Sequence, residues 1–177
     1  MIALDELGRI YIYAPKERLA KFLDPLNDAM HEFEISDSPV REAAFIAQIG
    51  HESGEFKYVR EIASGEAYEG RKDLGNTEPG DGVRFRGRGL IQITGRFNYR
   101  DCGEALGVDL ITQPELLETP VLACRSAAWF WWSRGLNDVA DKGDEQAFKL
   151  ITRRINGGYN GYADRVKYWE KAKDILS

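Results

Sequence analysis

Ala47-Gln48-Ile49-Gly50-His51-Glu52-Ser53-Gly54 closes an almost wholly apolar run and ends in an acid, a serine and a glycine. Val40, Ala43, Ala44, Phe45, Ile46, Ala47 and Ile49 leave little polar surface. Such a segment predicts a helix buried on nearly all sides. Ser38 suits the N-cap, and Pro39 suits the first helical position, where its missing N–H costs nothing. Gly54 can take the left-handed conformation that ends a helix. Glu52 thus falls in the last turn of a core helix. Partial burial disfavours its charged form. The negative end of the helix dipole disfavours it again. A glutamate kept protonated near neutral pH is what a general acid has to be.

Outward from this helix the pattern stays helical. Pro15 to Leu23 predicts one helix, and Asp24-Pro25 opens a second that runs through Phe33. Phe97 to Leu106, Pro120 to Arg134, Asp144 to Ile155 and Tyr162 to Leu176 predict four more. In the last of these, Val166, Trp169, Ala172 and Ile175/Leu176 recur at helical spacing. Strand character is confined to Arg9–Tyr13 and the region from Arg84 to Ile93. Ser64 to Gly89 is rich in Gly, Asp, Glu and Arg without a steady period. A long irregular segment inside a compact domain is usually functional or disordered, and its ending in Leu90-Ile91-Gln92-Ile93-Thr94 points to function. No repeat or linker divides the chain, so residues 1–177 are expected to form one domain.

Bulk properties narrow the classes. The net charge of −5 argues against general affinity for nucleic acid or for anionic membranes. No apolar run approaches the ~20 residues of a membrane span. Met1-Ile2-Ala3-Leu4-Asp5-Glu6 lacks a basic start and a long apolar stretch, so synthesis in the cytosol without an export signal is expected. Cys102 and Cys124 each fall within a helical pattern and read as free, packed thiols. No Cys/His cluster has metal-ligand spacing, and no metal or cofactor is expected.

Four further groups bear on chemistry. His51-Glu52 begins like a zinc-protease helix, but the fourth position after His51 is Glu55, and the only other histidine is His31. His51 reads instead as a packed imidazole. Glu61 lies nine residues after Glu52 (61 − 52 = 9), across a glycine-containing break. Two such acids can face each other across a groove, as glycoside hydrolysis requires. Most of the 29 acidic residues are solvated surface groups, and spacing alone does not lift Glu61 out of that class. Arg84-Phe85-Arg86-Gly87-Arg88-Gly89 places arginines among glycines, which suits close backbone approach and pairing with the loop acids. If the following stretch is extended, Gln92 and Thr94 share a face, where they can bind a sugar hydroxyl, an N-acetyl group or a water. Trp129, Phe130, Trp131 and Trp132 point all around a helix and read mainly as core.

Taken together these segments resemble the family 19 glycoside hydrolases, most closely the phage endolysins of that family. The resemblance rests on Phe45-Ile46-Ala47-Gln48 leading to His51-Glu52-Ser53-Gly54, on Tyr68-Glu69-Gly70-Arg71, Asp73-Leu74-Gly75-Asn76-Thr77 and Gly80-Asp81-Gly82. It continues through Arg86-Gly87-Arg88-Gly89-Leu90-Ile91-Gln92-Ile93-Thr94, Asn98-Tyr99 and Ile155-Asn156-Gly157-Gly158. It spans about Pro39 to Leu176. It implies a mainly α, lysozyme-like fold of two lobes, with a small β element and a substrate cleft.

By the same resemblance Glu52 is the general acid, Glu61 the general base, and Thr94 helps to hold the attacking water. Gln92, Asn98 and Tyr68 match sugar-contacting positions. Asn156 matches a residue that binds substrate and water, and Arg165 one that tunes the acid. Plant chitinases carry an acid a few residues after the Asn of the Asn-Gly-Gly turn, where this chain has Asn160. The cysteines also do not match the plant disulfide frame. Both departures favour an inverting enzyme of peptidoglycan glycan strands that lyses a bacterial host. A chitinase, or a wall-binding module without catalysis, is the alternative. A peptidase or amidase lacks the zinc ligands or Cys/His pair it needs. The endolysin reading implies a monomer with no stable membrane insertion. It would be held in the host cytoplasm and released to the periplasm and wall through a holin-type pore.

Overall fold

A computed structural model describes residues 1–177. Its centre is helix α3, Pro39–Ser53, whose residues Glu42 through Gly50 are all buried. Both ends form as the local sequence predicts. Ser38 Oγ accepts from Val40 N at 3.1 Å, and Gly54 closes the helix at φ 57°. Before α3 come α1, Leu4–Ile10, and α2, Lys16–Glu32. After it come α4, Asp81–Arg84, α5, Arg96–Leu106, α6, Pro120–Ser133, α7, Leu136–Ala140, α8, Glu145–Asn156, and α9, Tyr162–Leu176.

The most extensively packed helix pair is α3 with α9. Glycine permits the tight packing around α3. A Cβ on Gly50 would lie 2.6 Å from the Tyr11 ring, whose hydroxyl donates to Ile46 O at 2.6 Å. At the start of α9, Gly161 has φ 69°, and a Cβ there would stand 2.2 Å from His51 Cε1. Around this pair α1 packs on α9, α2 on α6, α7 on α8 and α5 on α6. A continuous core of 40 buried apolar residues runs through them, with Phe45 set edge-on to Trp131 and Phe148 stacked on Trp169.

Three expectations are corrected. Arg9–Tyr13 is not a strand: Arg9 and Ile10 end α1, because Leu7 and Ile10 bury together one helical turn apart. The two helices expected on either side of Asp24-Pro25 are one helix, α2, with Pro25 inside it. The buried stripe of Leu19, Phe22, Leu26 and Met30 runs on through the break, and packing outweighs the lost proline hydrogen bond. The region from Arg84 to Ile93 is not a strand either. It begins in α4, and its β character is limited to isolated antiparallel bridges, Arg60 with Arg88 and Arg88 with Ile93. The tryptophan run is core in part: Trp131 is fully buried and donates its indole N–H to Asn137 Oδ1 at 2.8 Å, and Trp129 and Phe130 pack against the core. Trp132 is exposed, and Trp129 and Phe130 are half-buried.

The irregular segment is ordered by polar contacts rather than by periodicity. Asp81 takes Arg96 in a two-pronged pair, Nε at 2.9 Å and Nη2 at 2.8 Å. Glu69 accepts from the backbone of Gly80 and Gly82, each at 2.8 Å. Buried Asn76 bridges Tyr68 O and Arg96 N, each at 2.9 Å. Cys102 and Cys124 are free and buried, as expected. No helix is long and apolar enough to cross a membrane.

Candidate active site

The last turn of α3 presents Glu52 with its side chain 18% exposed, at the boundary of core and cleft. Arg165 of α9 meets it from within the protein. Its Nη2 lies 2.6 Å from Glu52 Oε1, and its own side chain is only 1% exposed. The rest of the guanidinium is fixed: Nη1 donates to Gln48 Oε1 at 2.7 Å and Nε to Asn160 O at 3.0 Å. Gln48 in turn donates to Thr152 Oγ1 at 2.9 Å. The sequence places Glu52 by burial and by the helix end, and the structure adds a buried guanidinium in contact with it. His51, one residue earlier, pairs with Asp164 at 2.7 Å and so ties the end of α3 to the start of α9. No group of three His, Cys, Asp or Glu side chains is placed to hold a metal ion.

Glu61 comes from the segment after α3, beside the bridge of Arg60 with Arg88. Its N–H donates to Gly87 O at 2.9 Å, which seats it on the turn carrying Gln92 and Thr94. That turn is clamped by mutual backbone bonds of Arg88 and Ile93, at 3.1 and 2.9 Å, and by the Tyr99 hydroxyl on Arg86 O. Tyr68 donates its hydroxyl to Glu61 Oε2 at 3.0 Å. Burial, and then the hydrogen bond to Glu61, raise the Tyr68 pKa above its ordinary value of 10.0, so it stays a donor. Glu61 Oε1 is buried and has no hydrogen-bond partner.

Gln92 and Thr94 converge with Glu61, but not by strand alternation. Gln92 lies at φ 62°, a turn conformation that swings its amide back. A Cβ built on Gly87 would lie 2.7 Å from Gln92 Oε1, 2.8 Å from Glu61 Oε2 and 3.3 Å from Thr94 Oγ1. Glycine therefore keeps open the space on which an acid, an amide and a hydroxyl all close. Asn98 buttresses this corner from α5, donating to Thr94 O at 2.7 Å. Beyond it a cavity of about 130 Å³ is lined by Gln92, Thr94, Asn98, Trp129, Phe130 and Arg134. Larger hollows of about 580 and 350 Å³ are lined by neither glutamate.

Asn156, at the end of α8, turns its side-chain oxygen onto its own loop, accepting from Asn160 N at 3.1 Å. Its visible role is to shape the turn whose Asn160 carbonyl holds Arg165. The aromatic and cationic wall of Trp129, Phe130 and Arg134 was not among the residues expected to line the cleft. Its consecutive aromatics resemble core in sequence, and the fold turns Trp129 and Phe130 of α6 towards the cavity.

A helical fold with one carboxylate set on a buried arginine and a second beside an open polar corner suits glycoside hydrolysis. The sequence profile of glycoside hydrolase family 19, chitinase class I, matches residues 38–142. The chain therefore belongs to glycoside hydrolase family 19. A family 19 domain-containing protein of Haemophilus influenzae is 33% identical over 162 residues, covering 73% of this chain and 77% of that one. An endochitinase of Arabidopsis thaliana is 40% identical over 117 residues, covering 66% of this chain. This chain spans only 39% of that endochitinase's length. Among solved structures, chitinase C of Streptomyces griseus superposes with a TM-score of 0.80 at 23% identity, covering 99% of this chain and 76% of the other. A class IV chitinase of Zea mays gives 0.74 at 25%, covering 99% and 92%.

Proposed function

We propose that this protein is a cell-wall lytic enzyme that hydrolyses β-1,4 bonds between the N-acetylated sugars of peptidoglycan in one inverting displacement. The observation that carries the chemistry is the open space beside Gly87, bounded by Glu61 Oε2, Gln92 Oε1 and Thr94 Oγ1. A water held there meets its base before any sugar binds, as direct displacement requires. Its oxygen attacks the anomeric carbon while Glu61 takes its proton. The glycosidic C–O bond breaks, and the leaving oxygen takes the proton of Glu52. Arg165 orients Glu52 and stabilises the carboxylate that remains. Gln92, Asn98 and Tyr68 are proposed to flank the sugar, and Asn156 to act through the turn that holds Arg165.

Free, buried Cys102 and Cys124 support a protein made in a reducing compartment rather than a disulfide-framed secreted one. The proposed route is accumulation in the host cytoplasm as a monomer, followed by release to the wall through a holin-type pore. The chitinase names of several relatives favour the alternative substrate, chitin. The test is turbidity loss of outer-membrane-permeabilised Gram-negative cells, run beside hydrolysis of chitin oligomers. Lysis that Glu52→Gln abolishes supports the wall reading. Turnover of chitin oligomers alone overturns it in favour of a chitinase.

A further inference from the structure

The cavity beyond Thr94 holds an arginine without an acid. Arg134 caps the end of α6, with its guanidinium carbon 3.4 Å from the centre of the Phe130 ring. Its only polar contacts are long ones, to Phe130 O and Ser133 Oγ, each at 3.4 Å. Three other arginines do hold acids, Arg88 with Glu118 at 3.0 Å, Arg96 with Asp81 at 2.8 Å and Arg165 with Glu52 at 2.6 Å. The residue is exposed, so its guanidinium is open to a ligand. The side chain opens on the same cavity as Gln92 and Asn98, whose amides suit sugar hydroxyls and N-acetyl groups, and as Trp129, whose ring suits a sugar face. A guanidinium stacked on an aromatic ring is held flat. Its fork then matches a carboxylate in two parallel hydrogen bonds.

We propose that this cavity is a subsite for an N-acetylated sugar carrying a carboxylate substituent, with Arg134 as the group that recognises the carboxylate. In peptidoglycan that carboxylate belongs either to the lactyl ether of the sugar itself or to the peptide attached to it. Chitin offers neither. The inference rests on the reading that the cleft binds a glycan, and it names what distinguishes the preferred strand.

The experiment measures binding to the inactive Glu52→Gln protein by calorimetry, with Glu61→Gln as a second inactive background if the first does not fold. Three ligands of equal length are compared: a chitin oligomer, a peptide-free alternating glycan with free lactyl carboxylates, and the same glycan bearing its peptides. The carboxylated glycan is expected to bind about tenfold more tightly than the chitin oligomer, as a charge-assisted bidentate pair allows. The preference should weaken as salt rises, because an open guanidinium is screened. Adding Arg134→Gln should collapse the ratio of the two affinities towards one, and Arg134→Lys should restore part of it. A preference shown only by the peptide-bearing glycan assigns the carboxylate to the peptide. Equal binding of all three ligands, or a ratio unchanged by Arg134→Gln, overturns the subsite while leaving the glycan cleft standing. Binding of none of them overturns both.

Discussion

Arg165 Nη2 stands 2.6 Å from Glu52 Oε1, although the two residues are separated by most of the chain. The contact joins α9 to the end of α3, and Gln48 and Asn160 hold the guanidinium from the other sides. Arg165→Ala should therefore act twice. It strands Gln48 and leaves Glu52 half-buried without a counter-charge, at a cost of roughly 3 kcal/mol in urea unfolding. It should also cut activity more than a hundredfold, as should Glu52→Gln, which removes the proposed acid. Lysis by folded Glu52→Gln within a few-fold of wild type would refute the assignment.

Gly87→Ala tests the water position by volume alone. The new methyl would come within 2.7 Å of Gln92 Oε1 and 2.8 Å of Glu61 Oε2. Overpacking should destabilise the fold by about 1–3 kcal/mol. Turnover should fall at least about a hundredfold, the scale of losing a positioned base and its water. Binding of substrate by the folded variant should persist. A variant that is folded and nearly as active would place the water elsewhere.

Glu61→Ala removes the proposed base and leaves room for a small anion. Azide should restore part of the activity and give a product of inverted configuration. Inversion requires about 6.5–9.5 Å between the carboxyl groups of Glu52 and Glu61. Proton NMR of the first-formed reducing sugar from wild type should show the α-anomer. Early β-anomer would mean retention and would end the direct-water mechanism.

The Asp81–Arg96 pair predicts an acid limb in stability. The hydrogen bond from Arg96 outweighs burial and lowers the Asp81 pKa below its ordinary 3.8. A lowered folded-state pKa means stability that is complete above the unfolded value and lost as pH falls through the folded one. Asp81→Asn should cost roughly 3 kcal/mol at pH 7, as breaking a buried pair does. The gap between variant and wild type should close below the ordinary 3.8. A gap that stays constant into strong acid would show that the pair contributes through packing alone.

Cys102 and Cys124 should be silent in the folded protein. Burial pushes the Cys102 thiol up to about 12 and raises Cys124 as well. A thiol reagent at pH 8 should label neither until denaturant is added, and both afterwards.

Much of the fold is legible because its signals are local. Ser38, Pro39 and Gly54 bound α3, and the apolar spacing from Tyr162 onward marks α9. Local reading failed where packing overrode punctuation. Pro25 did not break α2, since Leu19, Phe22, Leu26 and Met30 were already committed to one buried stripe. It failed at Arg84–Ile93 as well, where apolar alternation mimicked a strand. The segment folds as a turn because Gln92 takes φ 62° and Arg88 pairs with Ile93.

By itself the sequence determined the helical class, the buried helix that ends at Glu52, and, through ordered motifs, the family. Tertiary structure decided what surrounds the two acids. Arg165 reaches Glu52 across 113 residues (165 − 52 = 113), and Gln92, Thr94 and Glu61 meet over Gly87 through a left-handed turn. Arg134 remains unpaired at the cleft because of where α6 ends. Hydrophobic spacing repeats along a helix and can be read from neighbours. A polar contact between distant segments has no period, and it exists only once burial has brought those segments together.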